Sequence, residues 1–287
     1  ADTIIAEQFE LTSPRLAPQY TSVVRSVHSS AIVKDSPVTQ LQFQFFRAPT
    51  DNDISFGNWL AKDWHQQAID SILNPVPLRT ARYTYHYATR SQTDKKDNQI
   101  PRKQGTIEVS LQVDTLSDGI IDLQATFRCT GDLPELPRMG IAFTLPKEYQ
   151  QLEYIGRGPW ENYPDRKTSC PIGDYQSTVA VQFTHYPRPQ DNGNHEECTY
   201  LSLTDSRRHH FIVQAVDAPF SFSALPYTVV QLYSAIHDDS LPASSATIVS
   251  IDCAVLGLGN SSCGPGVLRK YAISQKQEHH LHIRLYY

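Results

Sequence analysis

Apolar residues recur at every second position in this chain, and that period restricts most of it to β-strands. Leu41, Phe43 and Phe45 alternate with Gln42 and Gln44, and Ile107, Val109, Leu111 and Val113 alternate with Glu108, Ser110 and Gln112. The same rhythm runs through Ile121 to Phe127, Met139 to Leu145 and Leu281 to Leu285. A period of two lays the apolar set on one face of a half-buried sheet and the polar set on the other. Nineteen prolines and many Ser, Thr and Asp positions break these runs, as in a sandwich or barrel rather than an α/β fold. Helical patterning is scarce. One candidate spans Asn58 to Leu73, where Trp59, Trp64, Ala68 and Ile72 share a face, and a short one spans Val229 to Ala235. Residues 91–105 are polar and charged and read as an exposed hairpin loop, whereas residues 1–35 are weakly patterned and read as partly disordered. No repeat, low-complexity tract or linker divides the chain, so one large sandwich is expected.

The 287 residues suffice for a full core. A net charge of −5 and a pI near 6.1 exclude the basic footprint of a nucleic-acid surface. No stretch approaches the roughly 18 consecutive apolar residues of a membrane helix. The opening Ala-Asp-Thr-Ile-Ile-Ala has neither the basic nor the apolar region of a secretory signal. It also lacks an initiator Met, which suggests a piece of something longer. The five cysteines, Cys129, Cys170, Cys198, Cys253 and Cys263, are odd in number and contain no C-x-x-C. That fits neither a disulfide framework nor a zinc site, and reads as buried free thiols in the reducing cytoplasm.

Several short motifs fail their chemical tests. Asp51-Asn52-Asp53 opens like a calcium loop, but loop positions six and twelve are Phe56 and Lys62 instead of Gly and Glu. A turn stabilised by Asp and Asn side chains fits better. Gly257-Leu258-Gly259 opens like a dinucleotide fingerprint but lacks the third glycine and a following helix. His280 and His282 share a strand face and could chelate a metal. Without a Cys or carboxylate cluster nearby, these two and His279 read as histidines on an exposed edge strand. No G-x-S-x-G, H-E-x-x-H or P-loop is present. A glycosidase pair requires two carboxylates at a set separation, which sequence cannot supply.

Three segments are more specific: Phe46-Arg47-Ala48-Pro49-Thr50-Asp51-Asn52-Asp53, then Gly156-Arg157-Gly158-Pro159-Trp160-Glu161-Asn162-Tyr163-Pro164-Asp165-Arg166, then Gly257-Leu258-Gly259-Asn260-Ser261-Ser262-Cys263-Gly264-Pro265-Gly266. In this order and spacing they resemble the C-terminal domain of family-2 β-galactosidases, which also occurs as the separate small chain of two-chain forms. Weaker similarity lies in Tyr186 to Asn194 and in Ser223 to Tyr227, followed by His237. The resemblance spans roughly residues 41–275. Residues 1–40 match poorly and form a lead-in, and 41–287 form the domain.

This resemblance implies an all-β supersandwich of two large antiparallel sheets, related to galactose mutarotase. It implies that the catalytic glutamates lie on a TIM barrel carried elsewhere, as another domain or a large subunit, and that this chain holds no catalytic residue, metal or cofactor. Barrel sites sit on loops at the strand ends, so a neighbouring sandwich can wall the galactoside pocket. The complete enzyme would be an oligomer that hydrolyses terminal β-galactosides such as lactose, with Mg and Na ions held by the barrel. In the family, an aromatic residue of the last glycine-rich loop stacks on the sugar. The aligned residue here is Cys263, so Cys263, Ser262 and Asn260 become pocket-wall candidates, with Trp160 as the substitute aromatic. Glu161, Asn162, Tyr163, Asp165 and Arg166 form a loop-fixing or interface cluster, with Asp165 and Arg166 expected as a bidentate pair. Arg47 with Asp51 and Asp53 reads as a loop-fixing ion pair beside Asn52. Two alternatives remain open: a mutarotase-like epimerase using His185, His237 or Glu161, and a free carbohydrate-binding module. Shared fold alone is weak support for either.

Overall fold

The computed structural model describes residues 36–54, 75–88, 92–93, 99–100, 104–242 and 244–287. The expected helix at Asn58–Leu73 and the disorder expected over 1–35 fall outside these residues. Every alternating run named above forms a strand. The first runs are β1 (Gln40–Gln44), α1 (Asp51–Ile54), β2 (Ala81–Ala88), β3 (Gln92–Thr93), β4 (Gln99–Ile100), β5 (Gln104–Ser117), β6 (Ile120–Gly131) and β7 (Arg138–Pro146). There follow β8 (Gln151–Arg157), β9 (Ile172–Thr178), α2 (Val179–Gln182), β10 (His195–Cys198), β11 (Tyr200–Thr204), β12 (His210–Ala215) and β13 (Phe220–Leu225). The chain ends with α3 (Val229–Ser234), β14 (Ala246–Val255) and β15 (His279–Tyr286). The short helix expected after Pro226 is α3, closed at its start by a capping box of Thr228 and Gln231. Within 91–105, β3 pairs with β4 as Gln92↔Ile100 and Thr93↔Gln99, the ladder of a hairpin.

Two large antiparallel sheets result, a five-stranded one in the order β1-β7-β14-β13-β10 and an eight-stranded one in the order β2-β5-β6-β15-β12-β11-β8-β9. Their inner faces meet in one core. Aromatic rings cross the gap: Phe43 on Phe127 at 6.1 Å, Phe143 on Phe211 at 5.6 Å and Tyr154 on Phe222 at 5.0 Å between centroids. Rings tilted or edge-to-face at this spacing add to their area burial.

Two expectations are corrected. Gln42 and Gln44 were assigned to a solvated face, yet both are buried. The outward face of the five-stranded sheet carries Gln44, Ser221, Ser223, Ser250 and Asp252 beside Ala142, Ile248 and Leu225, all buried, so this sheet is covered on both sides. The histidine strand β15 is not an edge; it lies between β6 and β12. His282 suits that place because its Nδ1 meets Asp217 at 2.7 Å and its Nε2 meets Asp122 at 2.9 Å, which satisfies both ring nitrogens within a sheet interior.

Truncation of Phe143, fully buried between the sheets, is expected to cost about 3–5 kcal/mol. Urea unfolding of Phe143→Ala measures it, and a loss below about 1 kcal/mol would mean that the sheets do not meet there.

Candidate functional site

The three motif segments are far apart in sequence and are the loops at one end of the sandwich. The first follows β1, the second joins β8 to β9, and the third follows β14. Arg47 is their centre. Its guanidinium is 1% exposed and grips Asp53 with two parallel hydrogen bonds, Nε to Oδ2 at 2.9 Å and Nη2 to Oδ1 at 2.8 Å. The remaining donors reach the third segment: Nη1 donates to the Leu256 carbonyl at 2.8 Å and Nη2 to that of Gly257 at 3.2 Å. Burial works against the charge, but the Asp53 carboxylate outweighs it and holds the guanidinium protonated. Asp53 also accepts from the Thr50 backbone at 2.9 Å, which closes the turn. The ion pair thus forms with Asp53 and not with Asp51, whose backbone N–H donates to Gln190 Oε1 at 2.9 Å.

Asn52 and Asp165 clamp the glycine-rich loop from two sides. Asn52 Nδ2 donates to the Gly259 carbonyl at 2.9 Å, and its Oδ1 accepts from the Ser262 backbone and hydroxyl at 3.0 and 2.7 Å. Asp165 accepts the backbone N–H of Leu258 at 2.9 Å and of Gly259 at 2.8 Å. Gly259 has φ +64, a conformation that a side chain disfavours. Arg166 Nη2 donates to the Gly259 carbonyl at 2.5 Å and to Asn260 Oδ1 at 3.1 Å. The bidentate Asp165–Arg166 pair expected from sequence does not form, since their one contact is 3.7 Å. Both residues spend their hydrogen bonds on the glycine loop.

The second segment is fixed just as fully. Asn162 is fully buried; its Nδ2 donates to the carbonyls of Arg157 and Trp160 and its Oδ1 accepts from the Glu196 backbone. Glu161 accepts from the Tyr186 hydroxyl and from the Gly193 backbone at 2.8 Å. Tyr163 donates to Asp191 Oδ2 at 2.9 Å, and burial beside that carboxylate raises its phenol pKa. Sequence reading missed the deeper layer: Arg138 joins Asp252 at 2.7 Å to Asp191 at 3.3 Å. The one signal was Asp252, an acid in a strand otherwise rich in Ile and Val. His195 lies between Tyr154 and Phe222, its Nδ1 2.9 Å from the Arg157 carbonyl. Burial lowers its pKa to about 4, so the ring is neutral.

These contacts decide what the cluster can do. The carboxylates of Asp53, Glu161, Asp165 and Asp191 each hold donors that fix loops. The groups shown outward are Trp160, 71% exposed, with Asn260 and Cys263, also exposed, and Ser262, half-buried. All five thiols are free; Cys170 and Cys198 are buried as expected, whereas Cys263 is not. His185 is 2.7 Å from Asp238 and makes no hydrogen bond to Glu161. Among the described residues no three His, Cys, Asp or Glu side chains gather as metal ligands, and no helix is long and apolar enough to cross a membrane.

The sequence matches the family described as "Beta galactosidase small chain" over residues 21–285. The chain belongs to that family. A β-galactosidase small subunit of Latilactobacillus sakei is 32% identical over 267 residues, covering 84% of this chain and 83% of the relative. A β-galactosidase of Staphylococcus xylosus is 29% identical over 240 residues, covering 80% of this chain. The small-chain domain spans only 22% of the length of that relative. A solved structure of a GalM/aldose epimerase homologue from C. elegans aligns over 75% of this chain and 69% of its own, at 11% identity and a TM-score of 0.33; that likeness is too slight to bear on function.

Two tests follow. Arg47→Leu strands a buried carboxylate and is expected to cost about 3–5 kcal/mol in urea unfolding. The double variant with Asp53→Leu is expected to cost less than the sum of the single losses, and additivity would contradict the coupling. His195 binds its proton less readily in the folded chain than in the unfolded one. Its contribution is therefore complete above about pH 6.5 and lost as pH falls toward about 4, up to about 3 kcal/mol. His195→Asn is expected to flatten the unfolding midpoint over that window; an unchanged slope would place the ring in a solvated setting.

Proposed function

We propose that this chain is the non-catalytic sandwich of a β-galactosidase, one that hydrolyses terminal β-D-galactosides such as lactose. The partner is a larger chain or domain bearing a TIM barrel, and the two bond-breaking carboxylates belong to it. One observation carries the reading: the three family motifs converge on one loop hub whose acids are committed to holding loops, while an indole faces outward. Retaining hydrolysis requires two carboxyl groups about 5 Å apart across the sugar, one free to act as acid and the other as nucleophile. Asp53, Glu161, Asp165 and Asp191 are spent on loop contacts and are not free for either role. The hub has a rigid edge on which a neighbouring pocket can lean.

In this reading Trp160 stacks on the sugar or its leaving group, in place of the aromatic that the family carries where Cys263 stands. Asn260 and Ser262 line the same wall. Magnesium and sodium ions of the active site are held by the barrel. Five free thiols favour a cytoplasmic enzyme, which assembles as an oligomer of complete units. The epimerase alternative gains nothing, because both Glu161 oxygens already accept hydrogen bonds.

A chromogenic β-galactoside tests the division of labour. The purified chain is expected to show no turnover alone and turnover once the barrel-bearing chain is added; robust activity of the chain alone would overturn the reading. In the reconstituted enzyme, Trp160→Ala is expected to lower kcat/KM by up to about tenfold, the worth of one aromatic contact of about 0.5–1.5 kcal/mol. An unchanged kcat/KM would place Trp160 away from the substrate.

A further inference from the structure

The outward face of the five-stranded sheet carries a row of buried polar residues that the loop hub does not use. Gln44 on β1 pairs in register with Gly140 on β7, Gly140 with Asp252 on β14, and Asp252 with Ser221 on β13. Residues paired directly across strands project to the same face, so these four stand side by side. Gln44 is 1% exposed and Asp252 is fully buried. Arg138 engages only one Asp252 oxygen, Oδ2, through Nε at 3.2 Å and Nη2 at 2.7 Å. Asp252 Oδ1 and Gln44 Oε1 accept no hydrogen bond. Between them lies a glycine, where a Cβ would stand 2.3 Å from Asp252 Oδ1 and 2.2 Å from the Ile251 carbonyl oxygen. The free carboxylate oxygen therefore lies against Gly140, the residue paired in register with Gln44.

Charge is also out of balance here. Arg138 reaches Asp191 at 3.3 Å as well as Asp252, and Glu196 joins the row through the Ser221 hydroxyl at 2.8 Å. Arg138 thus holds two buried carboxylates, and the charge of a third, Glu196, bears on Asp252. Arg47, whose charge also bears on Asp191, is bound to Asp53, and Lys167, which acts on Glu196, is bound to Glu197 at 2.6 Å. Burial raises the Asp252 carboxyl to about 6, with Asp191 and Glu196 adding to the rise against the pull of Arg138. Buried acceptors without a donor, in a region short of positive charge, are costly unless a cation meets them.

We propose that Gln44 Oε1 and Asp252 Oδ1 bind a monovalent alkali cation above Gly140. Both ligands are hard oxygens, which suit such ions and not thiophilic metals. Only one carboxylate oxygen is free, and the Arg138 guanidinium beside it disfavours a doubly charged ion. The ion links β1 to β14, the strands that lead into the Arg47 loop and the glycine-rich loop. It braces the base of the hub beside the Arg138–Asp252 contact. The site lies within this chain and does not depend on the β-galactosidase reading.

Thermal unfolding of the full chain at neutral pH, in sodium, potassium and choline chloride at equal ionic strength, tests it. An ion that binds only the folded chain raises the midpoint with its concentration. The expected result is a higher midpoint in sodium or potassium than in choline, and loss of that difference in Gln44→Leu and Asp252→Asn. Equal midpoints in the three salts would overturn the proposal, as would an alkali-specific shift that survives in Gln44→Leu. A midpoint that rises on acidification equally in all three salts would place a proton between the two oxygens and also overturn it. Should Asp252→Asn fail to fold, sodium NMR of the wild-type chain decides. Line broadening that Gln44→Leu abolishes supports the site, and its absence in the wild type, with no potassium-specific rise of the midpoint, rejects it.

Discussion

The buried Arg47–Asp53 pair is the contact on which the motif-loop end of this molecule depends. A guanidinium out of water is tolerated only when its donors are filled, and here they are filled by a carboxylate six residues away and two carbonyls more than two hundred residues away. The loop after β1 and the loop after β14 are therefore fixed by one side chain. Asn52 and Asp165 then seat the glycine-rich loop, and Arg166 covers it. Without the first pair, the later clamps would act on loops free to move.

Two layers of polar contacts divide the work. The upper layer holds backbone groups of the motif loops, which regular structure leaves unpaired. The lower layer, Arg138 with Asp191 and Asp252, fixes the sheet face from which those loops leave. Buried polar groups of this kind do little for net stability, but they allow one loop arrangement where an apolar filling would allow several. For a chain whose relatives carry the rest of a long enzyme, a fixed edge is the useful product. Asn162 and Cys170 hold the carbonyl of Trp160 and so fix the backbone from which the exposed indole leaves.

The strands were legible because one apolar face imposes a period of two, and the position of α3 because it follows Pro226. The burial of Gln42 and Gln44 was not, because alternation shows which face is apolar and not whether the other face is covered. Of the histidines on β15, His280 is exposed as expected, but the pairing of His282 with Asp122 and Asp217 depends on residues distant in sequence. Resemblance marked Arg47, Asn52, Asp165 and the glycine loop as family motifs, but did not show that they contact one another and could not tell Asp53 from Asp51 as the partner. Adjacent Asp165 and Arg166 invited a pair, yet backbone amides at Leu258 and Gly259 offered the carboxylate better geometry. Asp252 and Arg138 went unremarked because a single polar residue in a strand has no meaning until the fold supplies its neighbours.

The central claim is that the acids of this chain shape the site and take no part in proton transfer. The pH–rate profile of the complete enzyme carrying Glu161→Gln tests it most directly, since Glu161 is the acid in the loop that presents Trp160. The account predicts both limbs of the profile in their wild-type positions, with a change in KM or stability alone. Disappearance of one limb, with kcat lower by about 10²–10⁴ as for a lost general acid or base, would contradict it.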